Sequence, residues 1–114
     1  MYHNMAQSAT QLTGAGPRNA FIMTGRTDND ACTVDQVLGV GVSAARTATG
    51  KYTLTHNMGK TGYCAVFTAE DNGADGIPLG IRMFGRSGNT CDLRIEDDAG
   101  SLTDPDFVHG VFYD

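Results

Sequence analysis

From Ala20 onward, no stretch of this chain repeats apolar residues three and four positions apart for long enough to bury one face of a helix. It offers instead short runs in which apolar and polar residues alternate. Tyr52, Leu54 and His56 alternate with Lys51, Thr53 and Thr55, and Cys91, Leu93 and Ile95 alternate with Asp92, Arg94 and Glu96. Leu79, Ile81 and Met83 share one face, with Arg82 on the other. A period of two belongs to a strand that turns one face to a core and the other to water. Between these runs lie glycine- and asparagine-rich segments. Thr47-Ala48-Thr49-Gly50 reads as a tight hairpin, with Gly50 available for a positive φ. Residues 25–29, 57–62, 70–76, 87–89 and 97–105 supply further turns and loops. Seven or eight short strands spaced about 8–12 residues apart are the pattern of a sandwich or barrel. The expected fold is therefore all-β, an antiparallel β-sandwich that is jelly-roll-like or immunoglobulin-like.

Fifteen glycines in 114 residues, with helix-building residues sparse, fit the same reading. A chain of this length makes one domain and buries roughly two-thirds of its unfolded surface. The domain is expected over residues 19–114. Residues 1–18 are small and polar, close with Gly14, Gly16 and Pro17, and read as an arm that is either idle or an attachment point.

Two runs break the alternation. Tyr63–Ala69 (YCAVFTA) and Phe107–Phe112 are apolar on both faces. The first is what a strand in the middle of a sheet looks like. A sandwich of this size has one interior, so the second apolar face needs a partner or an overlying loop. The chain is accordingly expected to associate with itself.

The formal net charge is −5, and the eight Lys and Arg residues are scattered rather than gathered in the stripe that nucleic acid requires. No apolar run approaches the roughly 18 residues of a membrane helix. The opening residues lack the basic and apolar regions of a signal peptide, so synthesis in a cytoplasm is expected. Cys32, Cys64 and Cys91 are odd in number and widely spaced, which is neither a disulfide framework nor a zinc motif. Cys64 and Cys91 lie in apolar runs and are expected to be buried thiols.

Catalysis needs converging groups, and none of the sequence motifs that supply them is present. His56 and His109 fall in phase with apolar strand positions, where packing explains them, and His3 lies in the arm. The segment Asp71 to Gly76 spaces its carboxylates like a calcium loop, but Gly73 stands at the third position and Arg82 at the twelfth, where a bidentate glutamate is required. Glu96, Asp97, Asp98, Asp104 and Asp106 read as charges flanking turns rather than a catalytic pair. The expectation is a protein that is not an enzyme and uses no cofactor or metal. Its loops 57–62 and 70–76, with Lys60, Asp71, Asn72 and Asp75, are the candidates for touching a partner.

The order of these segments carries a resemblance. Val40 to His56 (VGVSAARTATGKYTLTH) resembles a recurring segment of bacteriophage tail-fibre and related virion proteins, in which a strand V-x-S-V-x-R leads through a T-G hairpin into Y-T-V-x-F. Met58 to Val66 (MGKTGYCAV) is similar to the family's next element, and Asn19 to Gly25 (NAFIMTG) sits where the family has a strand ending in F-x-G. Ala99 to Phe112 (AGSLTDPDFVHGVF) looks like the family's closing G-x-L-x-D-P segment. The resemblance spans residues 19–114. It implies a β-sandwich that trimerises on the outside of a phage particle, with no catalytic residues to carry over. Its partners would be copies of itself, other virion proteins, and a host-surface glycan or protein. Two versions stand side by side: a tail or head fibre module that meets the host, and a capsid decoration protein gripped to the shell by its arm. A carbohydrate-binding module is the alternative of a different class, although the chain has no Trp and only four Tyr for a sugar platform.

Overall fold

The computed structural model describes residues 17–25, 31–71 and 78–113. Among them, eight strands form and no helix: β1 (Pro17–Thr24), β2 (Val34–Leu38), β3 (Ser43–Ala48), β4 (Lys51–Thr55), β5 (Cys64–Glu70), β6 (Gly80–Phe84), β7 (Thr90–Glu96) and β8 (Phe107–Tyr113). They make two four-stranded sheets, in the orders β2-β1-β8-β5 and β3-β4-β7-β6. Every pairing is antiparallel. The first strand pairs with the last in one sheet and β4 pairs with β7 in the other, and the two sheets pack as an antiparallel β-sandwich.

The alternation read from the sequence sets which side chains fill the space between the sheets. β1 sends in Asn19, Phe21 and Met23, β4 sends in Tyr52 and Leu54, β7 sends in Cys91, Leu93 and Ile95, and β8 sends in Val108 and Phe112. These four strands are the inner strands of their sheets, which is why they hold the fully buried positions. Phe112 is the hub. It stacks on Phe21 at 5.8 Å and meets Phe67 edge-on at 5.7 Å, with the His56 ring 5.0 Å away. Gly110, also facing inward on β8, makes room for these rings, because a Cβ there would lie 2.4 Å from the Phe21 ring and 3.0 Å from Phe67. The β3–β4 connection is a two-residue turn, Thr49-Gly50, with Gly50 at φ 69° as its position in the sequence requires.

Three expectations change. The run Tyr63–Ala69 is not a central strand: β5 lies at the edge of its sheet, paired with β8 alone. An apolar pattern on both faces reports how those faces are covered and is blind to the number of hydrogen-bonded neighbours. The core-facing Ala65, Phe67 and Ala69 are in fact only half-buried. Cys64 is exposed rather than buried, because it projects outward with Val66, whereas Cys91 faces the core and burial pushes its thiol up to about 11. Finally, β1 begins at Pro17, which pairs with Tyr113, so two residues assigned to the arm belong to the sandwich.

Candidate interaction surface

An antiparallel sheet with one face on a core ordinarily turns polar side chains outward on the other. The β3-β4-β7-β6 sheet does so. On its outer face Thr53 donates a hydrogen bond to Asp92 at 2.8 Å, Arg94 pairs with Glu96 at 2.6 Å, and Arg82 lies 3.9 Å from Glu96.

The β2-β1-β8-β5 sheet does not. Cross-strand register places Ala20 beside Val111 and Val111 beside Val66, and the next row runs Ile22, His109, Thr68. Val37, the unpaired residue at the β2 bulge between the partners of Ala20 and Phe21, lines the same depression and extends the apolar row. Val37, on the edge strand β2, is 70% exposed, and Val66, on the opposite edge strand β5, is 55% exposed, so the apolar row is open to water at both ends. With Thr68 and the backbone of Gly110, these residues line a shallow depression of about 240 Å³. The polar groups of this face sit toward one end, where His109 Nε2 lies 3.3 Å from Glu70 Oε1. Both runs flagged as apolar on two faces, β5 and β8, prove to be neighbours here. The contributions of Ala20, Ile22 and Val37 were missed, although the run Ala20 to Thr24 already carried apolar residues on both of its faces.

The loop residues singled out from the sequence do not form one site. Lys60 is exposed in the loop between β4 and β5, where its backbone N–H donates to the Gly88 carbonyl at 3.2 Å. Asp71 follows the last residue of β5, at the opposite end of a seven-residue strand. A strand of that length separates them by about 20 Å. Asn72 and Asp75 lie outside the described residues.

At the Asp71 end, three segments far apart in the chain meet around Asp104. Its carboxylate accepts hydrogen bonds from Arg46 Nε at 3.0 Å, the Gly50 N–H at 2.8 Å and the Tyr52 hydroxyl at 2.7 Å, with Arg46 Nη2 2.9 Å away. The same hydroxyl reaches the Gly25 carbonyl. Gly25 in turn donates to the Asp106 carbonyl at 2.8 Å and abuts Pro105 so closely that a Cβ would lie 2.0 Å from the Pro105 oxygen. Burial alone would raise the Asp104 pKa. The donors from Arg46, Gly50 and Tyr52 outweigh that and hold it below the ordinary carboxylate range. Burial, together with the Asp104 hydrogen bond, pushes the Tyr52 phenol well up. Every group here is engaged in tying the β3–β4 hairpin to the entry of β8, so the cluster is a structural lock.

At the other end, His56 is buried against Tyr63, with ring centroids 4.5 Å apart. Its Nδ1 accepts the Met58 N–H at 3.1 Å, which leaves the proton on Nε2. Nε2 is buried and lacks a hydrogen-bond partner among the described residues. Burial lowers the His56 pKa; the Thr90 backbone opposes this without closing a bond of proper geometry, and Arg86 adds to the lowering. Arg86 lies 4.2 Å above the Tyr63 ring and donates to the Tyr63 carbonyl at 2.5 Å. Among the described residues, no group of three His, Cys, Asp or Glu converges as a metal site, and no helix is long and apolar enough to cross a membrane.

No family model, curated protein or solved structure matches this chain.

Proposed function

We propose that this chain is an assembly module of a bacteriophage particle surface, a β-sandwich that associates with its own copies, three together, through the outer face of the β2-β1-β8-β5 sheet. The observation that carries the self-association is the aliphatic row Val37, Ala20, Val111 and Val66, with Ile22 beside it, on a face that would otherwise be polar. Burying such a row contributes roughly 25 cal/mol per Å² of apolar surface removed from water. The phage setting rests on the ordered family-like segments, and the Asp104 lock gives those segments a shared structural reason.

Sedimentation equilibrium at micromolar concentration tests the association. A mass in multiples of three chains is expected, and Val111→Glu, whose outward carboxylate sits in the middle of the row, is expected to remove that factor of three. A monomeric native chain overturns the association. The copy number of the chain in purified particles tests the setting: a few copies in multiples of three mark a fibre module, hundreds mark a capsid decoration, and none in any particle fraction overturns the phage reading.

A further inference from the structure

A sheet edge exposes a row of backbone N–H and C=O groups that another strand can take up, and proteins guard such edges with charge, bulges or short length. Three of the four edge strands here are guarded. β2 is five residues long, carries Asp35 and pairs through a bulge; β3 carries Arg46 and also pairs through a bulge; β6 is five residues long with Gly80 and a central Arg82. β5 is not. It runs seven residues in unbroken register with β8, with no proline, bulge or basic residue, and its one charge, Glu70, stands at its last position. Among the described residues, no strand pairs with its other edge.

The charge around this edge is divided between its ends. Lys60 and Arg86 lie where β5 starts, with Arg86 bound to the Tyr63 carbonyl immediately before Cys64, and Glu70 and Asp71 lie where it finishes. Two copies of such an edge are complementary only when antiparallel, since the acidic end of each then meets the basic end of the other. We propose that β5 pairs with β5 of a second copy, antiparallel about a two-fold axis at Phe67, joining the two β2-β1-β8-β5 sheets into one eight-stranded sheet. The register follows from the axis: Cys64 faces Glu70 of the partner subunit, and Val66 faces Thr68 of the partner subunit. Each copy's Phe67, half-buried alone, gains cover from the other across the axis. This contact lies in the plane of the sheet and the aliphatic face is perpendicular to it, so the inference stands without the phage reading or the face contact.

Cross-linking in the full chain tests the register. Cys64 is exposed, and in Glu70→Cys the two facing thiols would lie about 4.5–5.5 Å apart at Cα, inside the disulfide range. Oxidised glutathione is expected to convert Glu70→Cys to a covalent dimer, seen on a non-reducing gel and reversed by dithiothreitol. Thr68→Cys, two positions out of register, should cross-link about tenfold more slowly or less, its partner thiol being beyond the ordinary span. Adding Cys64→Ser to Glu70→Cys should abolish the product. Adding Val111→Glu should leave it intact, because that change removes only the face contact. Equal cross-linking at positions 68 and 70, or no covalent dimer from a folded Glu70→Cys chain, overturns the proposal. If adding Val111→Glu to Glu70→Cys abolishes the product, the face is the only contact and the proposal likewise fails.

Discussion

Asp104→Asn isolates the charge in the lock while keeping its shape. Asparagine retains an oxygen for the Gly50 N–H, but the Arg46 guanidinium, 25% exposed, loses the carboxylate, 16% exposed, that it faces. Hydrogen bonds to a charged group contribute about 1.5–3 kcal/mol each, and partial solvent access places the expected loss near the single-bond value, about 2–3 kcal/mol. For a domain between the sizes usually tabulated, each kcal/mol shifts the melting temperature by about 3–5 °C, so a fall of roughly 6–15 °C is expected. The pH dependence fixes the cause. The folded-state pKa of Asp104 lies below its unfolded value of about 3.9, so its contribution is fully present above that value and is lost as pH falls through the folded pKa. Urea unfolding followed by far-UV circular dichroism should show a lower midpoint for the variant at pH 7, with an unchanged slope. The gap to the native chain should narrow below pH 4. A variant as stable as the native chain at pH 7, or a gap that stays constant into acid, would refute the assignment of this stability to the ionised carboxylate.

Two more outcomes follow from the core. Gly110→Ala puts a methyl group against the Phe21 and Phe67 rings and should cost about 1–3 kcal/mol by urea unfolding; a neutral effect would mean that the rings move aside freely. Tyr63→Phe removes a buried hydroxyl that interacts with the Cys91 thiol, a weak acceptor, and closes no hydrogen bond of proper geometry among the described residues, and so should leave stability unchanged or raise it by about 1 kcal/mol in the same assay. A clear loss there would mean that the hydroxyl has a partner in solution.

Much of the fold was legible because alternation is a local property. Tyr52 and Leu54 on one strand, and Cys91, Leu93 and Ile95 on another, point inward as their spacing says, and the hairpin at Thr49-Gly50 forms where a positive φ was available. The candidate surface was half legible. The double apolar character of β5 and β8 showed that some outer face was apolar, but not that these strands are neighbours, nor that Ala20, Ile22 and Val37 join them. Cys64 illustrates the limit. Its apolar neighbours in sequence suggested burial, yet in a strand those neighbours project alternately to opposite faces, and the face that Cys64 shares with Val66 is the outer one.

By itself, then, the sequence determined strand from helix, which positions share a face, and where the chain turns, since each depends only on residues a few places apart. Tertiary structure alone decided which strands lie beside one another. Pairing joins residues far apart in the chain, such as Ala20 with Val111, and no local pattern records it. The same holds for Asp104. In sequence it is one acid among several around a turn. The packing of the two sheets brings it to Arg46, Gly50 and Tyr52, whose donors stabilise its charge and make it a lock. It also left β5, built like a central strand, as an edge with one side open.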